Sequence, residues 1–124
     1  MAFFNEMDAG EDVIAYDEVG LLHVNGGTTK GKLILTQLRL VFVTGGEPSN
    51  PKLKTEHAIN IKSMERAQFI NSETLGVILS VDFNTSVGSH VVRYICRLDS
   101  AEKFVYQINK LVDIKALDDL LTRK

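Results

Sequence analysis

The stretch Gly31–Thr44, GKLILTQLRLVFVT, carries the reading of the fold. Leu33 and Leu35 alternate with Lys32, Ile34 and Thr36, and Leu38, Leu40 and Phe42 alternate with Arg39, Val41 and Val43. A period of two in β-branched and aromatic residues marks strands. The spacing predicts two strands joined by a tight turn. As the densest apolar segment, this hairpin is expected at the centre of a sheet.

Upstream, residues 13–16 and 19–24 read as a first strand bent near Gly20, since glycine inside a strand pattern marks a bulge. Asn25-Gly26-Gly27 is a turn signal. Downstream, Gly45–Lys54 holds both prolines, which donate nothing to a ladder, so it reads as a loop. Strands follow at 56–61 and 64–70, then at Leu75–Phe83 with the cleanest alternation in the chain. In the last strand Val92, Tyr94, Cys96 and Leu98 face inward and Arg93 and Arg97 outward.

The period then changes. Ala101, Phe104, Val105, Ile108, Leu111 and Val112 lie on one face of a helix. Asp99 with Glu102 three residues on is close to a capping box. Ile114, Leu117, Leu120 and Leu121 fall on roughly the opposite side at about 3.6 residues per turn. Either the helix breaks near Asp113 and folds back onto the domain, or it continues with a second apolar stripe that wants a partner. The lead-in has Phe3, Phe4 and Met7 at helix-like spacing, predicting one docked turn.

Strands followed by one helix exclude an alternating βαβ sheet. The expected fold is mainly β (α+β): a seven-stranded bent antiparallel sandwich or partly open barrel capped by a C-terminal α-helix. The expected division is a lead-in over 1–12, the domain over 13–112 and a helical tail over 113–124.

Composition bounds function. The 124 residues carry a formal net charge of −2, so no global field draws nucleic acid or membrane. Residues 30–66 are locally basic, with Lys30, Lys32, Arg39, Lys52, Lys54, Lys62 and Arg66 against Glu47, Glu56 and Glu65. The one cysteine, Cys96, allows no internal disulfide and fits a reducing, cytoplasmic setting. The N-terminus lacks the basic start and apolar run of a secretory signal.

Catalytic motifs are missing. Gly26–Lys32 matches G-x-x-x-x-G-K, but Leu33 stands where magnesium needs Ser or Thr, and a strand follows instead of a helix. His23, His57 and His90 have no metal-ligand spacing. Cys96 reads as an inert core thiol, and Ser89 beside His90 lacks a nucleophile elbow. With no Trp, and its aromatics on the buried register, the chain lacks a nucleic-acid stacking platform. The expectation is a binding module that is not an enzyme, with no cofactor and no metal.

The central residues resemble the signature of GRAM domains, members of the pleckstrin-homology-like superfold: Gly31, Leu33, Leu35-Thr36, Arg39, Leu40 and Phe42. Gly10-Glu11 with Val13-Ile14 is similar to their acidic lead-in, and Ile59-Asn60-Ile61 with Met64 to the element that follows. The resemblance covers residues 10 to 112. Gln37, Leu38 and Asn60 depart from the pattern, and GLUE and bacterial pleckstrin-like domains share the layout. The resemblance implies the bent sandwich with its helical cap. It also implies recognition of lipid head groups, or of peptides and proteins, near intracellular membranes.

Three readings of function follow. The first is a protein or peptide partner, with membrane association. The second is an anionic lipid head group at the Asn25–Lys32 loop, held by Lys30, Lys32 and Arg39, with Lys52 and Lys54 on the proline loop. Two lysines and one arginine make a thin site when each cation adds only about 1 kcal/mol. Arg39 has a structural alternative, pairing with a carboxylate or holding the turn. The third is self-association through Ile114, Leu117, Leu120 and Leu121.

Overall fold

The computed structural model describes residues 10–122. Seven strands run in sequence order: β1 (Val13–Leu22), β2 (Thr28–Thr36), β3 (Arg39–Thr44), β4 (Lys54–Asn60), β5 (Met64–Ser72), β6 (Gly76–Thr85) and β7 (Gly88–Cys96). A 3-10 turn, Ile61–Ser63, links β4 to β5, and the helix α1 (Leu98–Thr122) closes the fold. The strands form one antiparallel sheet in the order β4-β3-β2-β1-β7-β6-β5. The docked turn expected at Phe3, Phe4 and Met7 lies outside the described residues.

The sheet curls until inward side chains of all seven strands meet. Ala15, Val19, Leu33, Leu35, Leu40, Phe42, Ile59, Met64, Ala67, Leu79, Val81 and Tyr94 form one core, and Phe104 and Ile108 of α1 complete it. Inward alternation with a helical lid is thus the architecture, as the periodicities require.

The hairpin Gly31–Thr44 forms two antiparallel strands joined by a tight turn, as expected, but it is not central. β1 is the middle strand, because β7 pairs with β1 as well as with β6. The hairpin is the most apolar segment because both of its faces are buried. Ile34, Val41 and Val43 on the outer face form a second cluster against Leu53 of the β3–β4 loop. The bend in β1 also falls elsewhere: its register slips between Val13 and Ala15, while Gly20 stays in register. A Cβ at Gly20 would meet only ordinary contacts, the Thr28 and Ile95 Cβ atoms at 3.8 and 4.0 Å.

A polar hub ties the hairpin turn to the segment before β1. The Glu11 side chain is fully buried and takes Arg39 Nε at 3.0 Å. The same carboxylate accepts the Thr36 hydroxyl at 2.6 Å. Thr36 Oγ1 in turn accepts the backbone N–H groups of Leu38 and Arg39. Gln37 Oε1 accepts Asp12 N at 2.8 Å, and its amide donates to Gly10 O. Buried polar groups persist when each has a partner, and this hub provides them.

α1 runs unbroken past Asp113, so the chain does not fold back there. It begins at Leu98, one residue before the expected cap; Leu98 is half-exposed rather than inward. Asp99 accepts its neighbour's Ser100 N–H, and the Ser100 hydroxyl donates to Asp17 of β1. Two side chains then dock the helix on the β5 side. Asn109 accepts Ala67 N at 2.8 Å and donates to Ala67 O at 2.9 Å, covering the β5 edge as a neighbouring strand would. Lys115 donates to the carbonyls of Lys62 and Met64.

Candidate functional site: two grooves and an exposed helix face

Lys30 and Lys32 leave β2 on the face opposite Leu33 and Leu35. They line a groove of about 640 Å³ with Glu18, Gly20, Thr28, Ile95 and Arg97, under the lip Gly45–Pro48. Gly45 has φ +91°, and an added Cβ would lie 1.8 Å from Lys52 O, so the lip packs against the returning loop with no room for a side chain.

The structure thus brings two of the five candidate cations together and separates three. Arg39 sits at the far end of β2–β3, in the hub with Glu11. Lys54 lies 3.7 Å from Glu56, and neither it nor Lys52 lines the groove. Arg97 was expected only to face outward. It joins the groove because β7 is brought beside β1, a non-local pairing that no local pattern announces. Arg97 Nη2 bonds Asp17 Oδ2 at 3.0 Å. Burial alone would raise the Asp17 carboxyl; the Ser100 hydroxyl and the Arg97 guanidinium outweigh it and hold the group below its ordinary value. Glu18 and Glu47 on the rim offset part of the positive charge.

A second groove, about 910 Å³, lies between the β2–β3 turn, the 3-10 turn and the C-terminal half of α1. Leu38, Ile61, Leu111 and Ile114 give it an apolar wall; Lys62, Lys115, Asp118 and Asp119 add charge. Ile114 leads from this groove onto the outer side of the helix. Leu117, Leu120 and Leu121 there are 53%, 66% and 72% exposed.

Burial pushes the Cys96 thiol up to about 11, helped by Asp17 and Asp99, so it stays protonated at neutral pH. Burial likewise raises Tyr94. The Tyr94 hydroxyl lies 2.5 Å from His57 Nε2, with the imidazole stacked on Phe42. Among the described residues no group of three or more His, Cys, Asp or Glu could hold a metal ion, and no helix is long and apolar enough to cross a membrane.

His57 yields a pH prediction. Burial lowers its pKa from the ordinary 6.5, with Glu56 opposing. Below 6.5 the unfolded chain takes up a proton that the folded chain resists, so stability falls as pH drops through that value toward the lower folded pKa. Unfolding by urea should show less stability at mildly acidic than at mildly basic pH. His57→Gln should flatten that slope, and an unchanged slope would assign it to other groups.

No family model matches the chain, and no curated protein matches it. Solved structures do match. The PH domain of Slm1, in complex with inositol-4-phosphate, superposes with a TM-score of 0.64 at 10% identity, over 81% of this chain and 95% of that one. The DH/PH domains of p115-RhoGEF give 0.67 at 8% identity over 90% of this chain, which spans 34% of that one. The DH/PH domains of PDZ-RhoGEF, in complex with activated RhoA, give 0.64 at 10% identity, over 90% of this chain and 32% of that one. This chain has a pleckstrin-homology-like fold. The PH-like frame explains the placement of both grooves. One lies on the outer sheet face beside the β1–β2 and β3–β4 loops, and the other lies where the capping helix passes the β2–β3 turn.

Proposed function

We propose that this chain is a non-catalytic PH-like module of GRAM type that recognises a protein or peptide partner, at the surface of an intracellular membrane. The supporting observation is the unbroken α1. Its last turns carry Ile114, Leu117, Leu120 and Leu121 into solvent beside an apolar groove. Docking a helix on a core requires one apolar face, and α1 already has that face in Ala101, Phe104 and Ile108. The second stripe adds nothing to the core, and exposed stripes of this kind mark interaction surfaces.

A photo-reactive residue replacing Leu117 should crosslink a discrete partner in cells, and one replacing Glu73 on the far β5–β6 turn should not. The adduct should vanish with Leu120→Glu/Leu121→Glu. Equal labelling at both positions, or none at Leu117, would remove the helix stripe from consideration. Sizing chromatography of the full chain against Leu117→Glu separates the cases: a shift to smaller size makes the partner a second copy.

The convergence of Lys30, Lys32 and Arg97 supports a second reading, an anionic head group in the outer groove. Flotation with phosphoinositide-containing liposomes should then be lost in Lys30→Glu/Lys32→Glu. Because the attraction comes from exposed cations, Lys30, Lys32 and Arg97, binding should weaken with salt. Absence of flotation at moderate salt would end that reading.

A further inference from the structure

The groove between the β2–β3 turn, the 3-10 turn and α1 has fixed walls. Ile61 N donates to Leu38 O at 2.9 Å, which ties the two turns together. Lys115 Nζ donates to Lys62 O at 3.2 Å and to Met64 O at 3.1 Å, which ties α1 to the 3-10 turn. The cleft is therefore preformed, with Leu38, Ile61, Leu111 and Ile114 on its apolar side. Leu38 and Ile114 are 44% and 47% exposed, so the described residues leave part of that apolar side uncovered.

The chain enters the described part of the fold at this groove. Gln37, which lines it, accepts Asp12 N at 2.8 Å through Oε1 and donates through its amide to Gly10 O. These two bonds hold Gly10 at the groove rim. Residues 1–9, MAFFNEMDA, come immediately before. Phe4 is six positions from Gly10, a reach of about 9 Å as helix and about 20 Å as extended chain. The α1 wall from Leu111 to Asp118 is about 10 Å long at the helical rise. In either form the segment can lie along the groove.

The chemistry of the segment suits the groove as well as its length does. Phe3, Phe4 and Met7 are apolar, and each aromatic ring brings about 150–250 Å² to bury. Glu6 and Asp8 are acidic, and the segment carries no Lys or Arg. Lys62 and Lys115 on the groove wall supply the opposite charge, while Asp118 and Asp119 repel acids from their end. Attachment at Gly10 also gives the segment an effective concentration that a free peptide does not have. We propose that residues 1–9 fill this groove of their own chain, with Phe3 and Phe4 against Leu38 and Ile114 and with Glu6 and Asp8 beside Lys62. The contact leaves Leu117, Leu120 and Leu121 open, and it does not rest on a partner being there.

The chain has no tryptophan, so Phe4→Trp puts a single probe in the segment. Its emission should be shifted to the blue and shielded from acrylamide at every protein concentration. Adding Leu38→Asp/Ile114→Asp should move the emission to the red and expose the probe. Both side chains are nearly half exposed, and an unchanged circular dichroism spectrum shows that the variant folds. Lys62→Glu, a reversal at an exposed position, should expose the probe in part. Leu121→Asp, on the stripe but off the groove, should leave the emission unchanged. In amide NMR spectra of the full chain, Phe3→Ser/Phe4→Ser should shift Ile61, Leu111 and Ile114 and leave Lys30 and Gly46 of the outer groove in place. Red emission from Phe4→Trp alone, indifference to the groove variants, or an equal response to Leu121→Asp would overturn the proposal. A blue shift that grows only with concentration would put the segment in a second copy's groove and overturn docking within one chain. If the photo-crosslink at Leu117 fails while the emission behaves as expected, the protein-partner reading falls and the docked segment stands.

Discussion

Replacing Arg39 with alanine is expected to lower stability by about 3–5 kcal/mol, the range for breaking a buried ion pair from one side. The Glu11 side chain is completely buried, and Arg39 Nε lies 3.0 Å from its carboxylate. Without the guanidinium, the buried carboxylate keeps the Thr36 hydroxyl but loses the Arg39 charge at 3.0 Å. Urea unfolding of Arg39→Ala, Glu11→Ala and the double variant would measure this. The double variant should lose much less than the sum, since each single variant already removes the shared 3.0 Å ion pair. Strict additivity would mean that the pair is solvated and the hub holds little. The same series bears on the lipid reading: a destabilised Arg39 variant that still floats with liposomes at low temperature would confine Arg39 to holding the turn.

The second large effect is expected at Gly31. A Cβ there would lie 2.5 Å from Phe42 Cζ and 2.6 Å from Val43 O. Phe42 is fully buried, stacked on His57 and tilted against Tyr94, so the ring has nowhere to go. The carbonyl belongs to the β2–β3 ladder, where Lys32 pairs with Val43. Gly31→Ala is expected to cost about 3 kcal/mol, the upper part of the usual range for overpacking. Thermal unfolding checks it. Gly20→Ala is the matched control, since its Cβ would find only ordinary contacts; equal losses at the two positions would show that glycine's backbone freedom, not close approach, is what matters.

Much of this architecture was legible because alternation is local. Leu33, Leu35, Leu40 and Phe42 were readable as one inward row, and Ala101, Phe104 and Ile108 as a helix face, since a few neighbouring residues define each period. The outer burial of Ile34, Val41 and Val43 was not legible. It depends on Leu53, which the β3–β4 loop brings onto that face. The candidate cations show the same division. Lys30 and Lys32 share one strand, so the pattern places them on one face. Arg97 joins them from 65 positions beyond Lys32 only because β7 closes on β1.

The tail shows where local patterning stops. Ile114, Leu117, Leu120 and Leu121 on the side opposite the core-facing row could be deduced from helical geometry alone. Whether the backbone breaks at Asp113 could not, since both outcomes satisfy the same pattern; the docking of Asn109 and Lys115 against β5 and the 3-10 turn carries the helix straight through.

The order of elements, the side of each strand that turns inward and the place where period two gives way to helix follow from the chain read residue by residue, because each rests on contacts a few positions apart. The central place of β1, the buried partner of Arg39 and the make-up of both grooves were decided only when distant segments met. Loop closure and sheet curling bring those segments together, and no short window of sequence records which strand will lie beside which.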